Sequence, residues 1–196
     1  MLAVAPTEAR QLCDCSQPSH FKDLRADIAL HAQIQELGLA PDNAVPGFSL
    51  VADGTQNYVC VAGDGKWTLE TPSAALYRSH ADREEQRDPV CTHYFAEKDA
   101  AGGQATWESN ADGSSVTVAL NPAAAGGGRV DAPNGGATIP WLSTLATSHV
   151  AGPVFGSVVA VVRAETSGGV EPDAALCDRK GRQIFVPYLA TYFYYV

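Results

Sequence analysis

Two histidines and two carboxylates are the residues of this sequence best suited to metal binding or acid–base chemistry. His93 and His149 would supply neutral imidazoles, and Glu108 or Asp112 would supply the carboxylate of a metal site or a proton-transfer pair. No diagnostic spacing connects them. Histidines bonded to loop carbonyls and carboxylates that serve turns account for the same residues. A metal-dependent enzyme, oxidative or hydrolytic, is therefore an alternative hypothesis.

An arginine interrupts the most apolar stretch of the sequence, Val154 to Ala164. A guanidinium in such a strand needs a carboxylate or backbone carbonyls as partners, because the burial of an unpaired charge is costly. Arg163 is therefore either one half of a structural ion pair or a clamp for an anion inside a pocket. The structural ion pair is the preferred interpretation.

Three tryptophans and the absence of a nucleophile motif favour binding over catalysis. The sequence has no Gly-x-Ser-x-Gly, and Ser114 after Asp-Gly is typical of a turn. The preferred hypothesis is a secreted, non-catalytic binding or surface-associated protein that holds a small molecule or glycan on a concave face or loop end. The candidate ligand-binding residues are Trp67, His93, Trp107, Trp141, His149 and Arg163.

The five cysteines cannot all pair within one chain, because their number is odd. Cys13 and Cys15 are too close in sequence to pair readily with each other, so they reach other segments, bind a partner chain or stay reduced. Together with His20 they form a less favoured metal candidate. The pairing of Cys91 is also open. An unpaired thiol and the aromatic C-terminus suit a third hypothesis, a structural subunit of an oligomeric or disulfide-linked assembly.

Composition and charge limit the classes of partner. The 196 residues are 45% hydrophobic, enough for a core that buries about 68–75% of the unfolded surface. The formal net charge of -9 and the scattered basic residues argue against nucleic acid. Val154 to Val162, the longest apolar run, is far shorter than the roughly 18 to 20 residues of a transmembrane helix. Met1 to Pro6 lacks the length and basic residues of a signal peptide, so none is expected in this chain.

Hydrophobic periodicity predicts one helix and a series of strands. Phe21, Leu24, Ile28 and Leu37 recur at helical spacing, which predicts a helix over roughly Phe21 to Leu37. Strands are predicted at Phe48–Val51, Asn57–Ala62, Lys66–Glu70, Thr92–Ala96, Thr106–Ser109, Ser114–Leu120, Val154–Ala164 and Ile184–Tyr195.

Turn signals separate these strands. Asp53-Gly54 and Asp64-Gly65 predict turns, the second of them a hairpin, and a short helical turn is expected before Ser148. The charged run 81–89 is expected to be a surface excursion. The predicted fold class is mostly β, an antiparallel β-sandwich or barrel with one N-terminal α-helix. Residues 1–44 would form a helical extension and residues 45–196 the β-rich domain.

A series of motifs in residues 45 to 196 occurs in the order of a known family. These motifs include Gly54–Cys60, Thr92–Phe95, Trp107-Glu108, Ile139–Leu142, Gly168-Gly169, Cys177 and Val186–Tyr188. They resemble the domain-of-unknown-function family numbered 3455, whose members occur in bacteria, fungi and other microbes, commonly behind secretion signals. No function follows from the resemblance. Some fungal members are labelled malate dehydrogenase, but the Gly-x-Gly-x-x-Gly of a hydride-transfer enzyme is missing here.

The resemblance also implies a disulfide between Cys60 and Cys177, which match family positions. Such a bridge would close a long loop and, in the chain-entropy model, stabilise the fold by about 4 to 5 kcal/mol. A disulfide of this kind favours an oxidising compartment, and we expect the protein to be extracellular.

Overall fold

A computed structural model describes residues 24–62, 65–99, 102–133 and 135–196. Cys13, Cys15 and His20 lie outside these ranges, as do Phe21 of the predicted helix and Asp64 of the predicted Asp64-Gly65 hairpin. Within the ranges, no helix combines the length and the apolar character needed to cross a membrane.

Eight antiparallel strands close into a barrel. In chain order the elements are α1 (Leu24–Glu36), β1 (Pro46–Cys60), β2 (Trp67–Tyr77), α2 (His80–Glu84), β3 (Cys91–Asp99), β4 (Gly102–Ser109), β5 (Ser115–Leu120), α3 (Ala125–Gly128), β6 (Arg129–Val130), β7 (Trp141–Val150), β8 (Ala160–Gly168), a 3-10 turn (Ala174–Leu176) and β9 (Gln183–Tyr195). Strands β1 to β5 follow one another around the wall, β7, β8 and β9 complete it, and β9 pairs with β1. The short β6 pairs only with β7. Of the two predicted β architectures, the chain adopts the barrel.

Strand β1 runs unbroken through the predicted Asp53-Gly54 turn, so that prediction is wrong. Gly54 pairs with Ala74 of β2 and Tyr188 of β9. A Cβ atom at Gly54 would overlap the carbonyl oxygen of Ser73 on the neighbouring strand. The glycine is therefore required by the close approach of β2, one of the reasons for which glycine occurs inside a strand.

Pro187 lies inside β9 at a point where β8 has already ended. Its carbonyl oxygen accepts a hydrogen bond from the Gly169 N–H at 2.9 Å, beyond the last β8–β9 pair, Gly168 with Tyr188. In an antiparallel sheet the N–H and C=O of one residue face the same neighbour. The nitrogen of Pro187 therefore faces Gly169. Because the Gly169 carbonyl accepts from the Tyr58 hydroxyl at 2.8 Å, the donor that proline lacks leaves no acceptor unpaired there.

The two faces of β9 pack in different environments. Tyr188 and Tyr192 belong to the cluster inside the barrel, whereas Phe193 and Tyr195 belong to a second cluster outside it. Helix α1 covers this outer cluster with the fully buried Ile34. The predicted N-terminal helix is thus present, packed on the outside of the barrel wall. The division into residues 1–44 and 45–196 stays a prediction.

The segment between β7 and β8 closes one end of the barrel. Val154, Phe155 and Val158 are buried in the interior cluster, and the Phe155 ring centroid lies 5.3 Å from that of Tyr194. We call this end, with Leu50 and its neighbours, the closed end. The strand predicted over Val154–Ala164 is therefore wrong in its first half, since β8 begins only at Ala160.

Two polar residues hold the closing segment in place. Asp112 Oδ2 accepts from the Val154 N–H at 3.4 Å, and Ser114 Oγ accepts from the Phe155 N–H at 3.3 Å. Ser114 also donates to Asp112 Oδ1 at 2.8 Å. The Asp-Gly-Ser sequence thus serves a turn, as predicted. The helical turn expected before Ser148 is wrong, because this stretch forms β7.

A disulfide joins Cys60, at the end of β1, to Cys177, just after the 3-10 turn. The pairing implied by the family resemblance is therefore confirmed. Both half-cystines are buried in a cluster with Tyr58 and Trp67. The bridge spans 117 residues of sequence, for which the chain-entropy model gives about 4 to 5 kcal/mol of stabilisation.

Candidate ligand cavity

The half of the barrel opposite the closed end contains a cavity of about 590 Å³. All eight barrel strands contribute lining residues. The lining includes the exposed residues Gln104, Leu120 and Arg129, so the cavity reaches the protein surface. Its walls are mainly aliphatic and aromatic, which is typical of small-molecule sites.

Small residues on β4 contribute to the open volume of this part of the lumen. The closed end is filled by fully buried side chains such as Leu50 and Phe155. The cavity wall instead contains Ala105 and Gly103, and a Cβ at Gly103 would overlap the ring of Phe95. The lumen of an eight-stranded barrel is just wide enough to be filled by side chains or, where they are small, to hold one ligand.

Hydrogen bonds from β8 fix one wall of the cavity, formed by Ile139 and Pro140. The Ile139 N–H donates to the Gly168 carbonyl at 3.0 Å, and Thr166 Oγ1 donates to the Ile139 carbonyl at 2.6 Å. Arg163 donates from Nε and Nη2 to the Pro140 carbonyl at 3.1 and 2.9 Å. Hydrogen bonds with three residues, Gly168, Thr166 and Arg163, therefore fix the position of this wall.

Three aromatic side chains meet at the inner end of the cavity. The rings of His93 and Trp107 are stacked, with centroids 4.3 Å apart and an interplanar angle of 7°. Tyr192 meets both rings edge-on, at 5.3 Å from His93 and 5.0 Å from Trp107. Each ring restrains the others, so this part of the wall is pre-organised before any ligand arrives.

His93 is held in its neutral form. Its Nδ1 lies 2.8 Å from the Thr106 carbonyl, which can only accept, so Nδ1 carries the proton and Nε2 is left as an acceptor. Burial lowers the pKa of His93 to about 3, and the positive charge of Arg163 adds to that lowering. The imidazole is therefore uncharged near neutral pH.

Two hydrogen-bond donors of the cavity lining are buried and have no partner among the described residues. They are Gln56 Nε2 and Trp107 Nε1. Gln56 and Trp107 are each only 2% exposed. A buried donor without an acceptor costs free energy, about 1–3 kcal/mol for each group. Gln56 and Trp107 both line the cavity, and their unpartnered N–H groups lie just behind its surface.

Arg163 also lines the cavity. It has no carboxylate partner within the described part of the chain. Its guanidinium donates two hydrogen bonds to the Pro140 carbonyl and also interacts with the Tyr192 hydroxyl. The preferred expectation of a structural ion pair is therefore wrong for these residues. The guanidinium keeps its full positive charge at the wall of the cavity.

The other three predicted ligand-binding residues lie away from the cavity. Trp67 packs beside the disulfide and donates from Nε1 to the Asp173 carbonyl at 3.1 Å. Trp141 lies in the outer cluster beneath α1. His149 is exposed near the closed end, and its Nε2 contacts the Val158 carbonyl at 2.7 Å. The structure therefore brings together His93, Trp107 and Arg163 and separates them from Trp67, Trp141 and His149.

The predicted metal or acid–base residues do not converge. Three strand-to-strand steps, through Trp107 and Val116, separate His93 from His149 along the barrel wall. At about 4.8 Å per step this is ~14 Å along the wall. Glu108 accepts a hydrogen bond from the Tyr94 hydroxyl at 2.7 Å instead. In the ranges that the structure covers, no group of three or more His, Cys, Asp and Glu is placed to hold a metal ion.

Sequence reasoning missed Gln56, Tyr58 and Tyr192 as cavity residues. Along β1 the inward positions are the even-numbered ones from Leu50 to Tyr58, so alternation would have placed Gln56 inside. The predicted turn at Asp53-Gly54 broke that alternation. If β1 is taken as one continuous strand, a polar residue at an inward position indicates a cavity residue, and this signal identifies Gln56.

One comparison with known proteins gives a match. Residues 41–196 match the family described as "Protein of unknown function (DUF3455)". The chain belongs to this family. The matched region contains the whole barrel, the disulfide and every residue of the cavity lining. Neither the curated proteins nor the solved structures gave a match to the chain.

Proposed function

We propose that this protein is a non-catalytic, secreted binding protein that holds one small molecule in the barrel cavity. The observation that carries the proposal is the pair of buried, unpartnered donors, Gln56 Nε2 and Trp107 Nε1, on the wall of a cavity of about 590 Å³. A volume in the range of about 300–1,000 Å³ suits a small ligand. An acceptor on that ligand would remove the cost of the two unmade hydrogen bonds.

The lining favours a small, largely apolar molecule over a glycan. A glycan carries many hydroxyl groups, and each one buried without a partner would oppose binding. The polar side chains of the lining, among them Gln56, His93 and Arg163, are outnumbered by its aliphatic and aromatic residues. We therefore expect a ligand with an apolar body and one or two acceptor groups.

The lining also supports binding rather than catalysis. Its residues include no Asp, Glu, Ser, Cys or Lys, the side chains that most often serve as nucleophiles or general bases. The histidine in the lining, His93, has a pKa lowered to about 3, so it is a poor proton acceptor near neutral pH. The metal-dependent enzyme built on His93 and His149 is accordingly not the function that we propose.

An extracellular location is part of the proposal. The Cys60–Cys177 disulfide is consistent with an oxidising compartment, where such bridges form and persist. Protein isolated from its native source and alkylated before reduction should carry this bridge, which intact mass spectrometry would detect. Recovery of Cys60 and Cys177 as thiols in that material would count against secretion.

Binding in the cavity can be tested with the neutral fluorescent probe N-phenylnaphthylamine and two variants of β7. Leu142 lines the cavity, whereas Leu145 on the same strand is 40% exposed. Leu142→Trp should fill the cavity and abolish the rise in probe emission, and Leu145→Trp should leave it unchanged. A saturable signal that both variants retain would place the probe elsewhere. If the wild type gives no signal with this probe or with its negatively charged analogue, anilinonaphthalene sulfonate, the proposal is wrong.

A further inference from the structure

The cavity described above is positively charged within an acidic protein. Its lining contains two arginines, Arg129 and Arg163, and no aspartate or glutamate among the described residues. The whole chain has 22 Asp+Glu against 13 Lys+Arg. The lining is therefore positively charged although the chain as a whole is negatively charged. A site for a neutral molecule does not require such a difference. We infer that the ligand is an organic anion, an inference that rests on the proposed binding function. Its apolar body would lie in the lumen, and its charged group would be held between Arg163 and Arg129.

The charge of Arg163 is uncompensated on the cavity side. The Pro140 carbonyl that accepts its two hydrogen bonds is neutral, so it orients the guanidinium without cancelling its charge. The field of Arg163 reaches the lumen, since it lowers the pKa values of His93 and Tyr192 relative to what burial alone would give. Burial raises the pKa of Tyr58, and there the carboxylate of Glu171, which is not a lining residue, raises it further and opposes the effect of Arg163. An anion bound nearby would supply the missing countercharge, and low-dielectric surroundings strengthen such an attraction.

Arg129 lies on the same row of the barrel wall as Arg163. Arg129 of β6 pairs with Leu142 of β7, and Leu142 pairs with Arg163 of β8. Side chains of residues that are directly opposite in antiparallel strands share one face, about 5 Å apart per step. Two long guanidinium side chains thus flank Leu142, one half-buried and one exposed at the rim. This arrangement suits the capture of an anion at the mouth of the cavity.

The uncharged donors lie deeper in the same cavity. Gln56 and Trp107 are almost completely buried, and each presents an N–H without a partner in the described structure. His93 adds an acceptor, because its protonated Nδ1 is already used by Thr106. No lining carboxylate opposes an anion at this site, so arginines and neutral donors act in the same direction.

A matched pair of probes tests the sign of the charge. Anilinonaphthalene sulfonate and N-phenylnaphthylamine share the same aromatic body, and only the first carries a negative charge. The wild type should bind the sulfonate about tenfold or more tightly than the neutral probe, the gain expected from charge-assisted hydrogen bonds. Added salt should weaken the binding of the sulfonate much more than that of the neutral probe.

Substitution of the arginines locates the effect. Arg163→Met should lower the affinity for the sulfonate about tenfold while changing the affinity for the neutral probe less than about twofold. Arg129→Met removes an exposed side chain that the fold does not need and should act in the same direction, by about threefold. Arg87→Met, on the exposed surface after α2, is the control and should change neither affinity.

The outcomes separate the two proposals. If the neutral probe binds in the cavity as tightly as the sulfonate, or if Arg129→Met and Arg163→Met weaken both probes equally, the inference of an anionic ligand is wrong and the binding function stands. If neither probe binds to the wild type, the binding function itself is wrong. Should Arg163→Met fail to fold, the comparison of Arg129→Met with the wild type decides the question alone.

Discussion

The two ends of the barrel are built from the same strands and differ in what fills them. At the closed end, large apolar side chains such as Leu50, Phe155 and Tyr194 are fully buried against one another. At the cavity end, the interior contains small residues, two unpartnered donors and an arginine. The closed end is thus organised for stability. The closed end also buries a group without a partner in the described structure, the Tyr194 hydroxyl, so the two ends differ mainly in packing. The cavity end leaves volume unfilled, which is typical of a functional site.

The cavity end has its own source of stability, the disulfide. Cys60 and Cys177 link the end of β1 to the segment before β9 at this end of the barrel. The closed end is instead held by the packing of its interior. We therefore infer that packing stabilises the closed end and that the disulfide stabilises the cavity end.

Removal of the disulfide should have the largest effect. The double variant Cys60→Ala with Cys177→Ala should lower the free energy of unfolding by up to about 4 to 5 kcal/mol, because its unfolded chain is no longer constrained. Urea denaturation under non-reducing conditions measures the loss. Since the bridge is absent from the variant, added reductant should destabilise the wild type and leave the variant unchanged. A loss below about 1 kcal/mol would show that packing alone holds the cavity end.

The same substitution at the two ends should have unequal effects. Leu50→Ala at the closed end should cost about 2–5 kcal/mol, the usual result when a packed core leucine leaves a void. Leu142→Ala should cost less than about 1.5 kcal/mol, because Leu142 already borders open volume. Urea denaturation of both variants measures the difference. Equal losses would mean that the cavity end is packed as tightly as the closed end.

The buried histidine should make the cavity end sensitive to acid. The unfolded chain protonates His93 near its ordinary pKa of about 6.5, whereas the folded chain resists protonation until about pH 3. Stability contributed by neutral His93 is therefore complete above pH 6.5 and falls as the pH drops towards 3, by up to about 1.4 kcal/mol per pH unit.

The variant His93→Asn isolates this contribution. Asparagine can still donate to the Thr106 carbonyl but does not titrate, so its stability should depend less steeply on pH between 6 and 4 than that of the wild type. Denaturation at a series of pH values measures both slopes. Parallel slopes for the two proteins would contradict the neutral, buried state of His93.

Gln56→Leu should have the smallest effect on stability and a larger one on binding. Removal of an unpartnered buried amide should leave the free energy of unfolding unchanged or raise it by up to about 1 kcal/mol. The same change should weaken the binding of anilinonaphthalene sulfonate, because the cavity loses a hydrogen-bond donor. Gln35→Leu, at an exposed position of α1 away from the cavity, is the control and should leave binding unchanged. A clear loss of stability in Gln56→Leu would show that this amide has a structural partner.

The strands of the barrel wall were more predictable from sequence than the segment that fills the closed end. Apolar alternation in β5 and the aromatic run of β9 predicted buried strands, and both are present. The predicted strand boundaries were wrong where one local sequence pattern is compatible with two structures. Gly54 is typical of a turn but is needed for close strand contact, and the apolar residues Val154 to Val158 fill the barrel end without forming a strand.

The cavity could be predicted only in part. His93, Trp107 and Arg163 were identified by residue type, and these three do line it. Trp67, Trp141 and His149 were chosen on the same grounds and lie elsewhere. Residue type does not show which side of the barrel wall a tryptophan faces, and the empty volume depends on the closure of strands far apart in sequence.

The indole N–H signals of the three tryptophans provide the most direct test of the central claim, that the cavity end binds a ligand. Trp107 lines the cavity with a free Nε1–H, Trp67 uses its Nε1–H on the Asp173 carbonyl, and Trp141 is buried outside the barrel. In a nitrogen–proton correlation spectrum, titration with either naphthalene probe should shift the Trp107 signal and leave the other two in place. Shifts of Trp67 or Trp141 with an unmoved Trp107 signal would contradict the account.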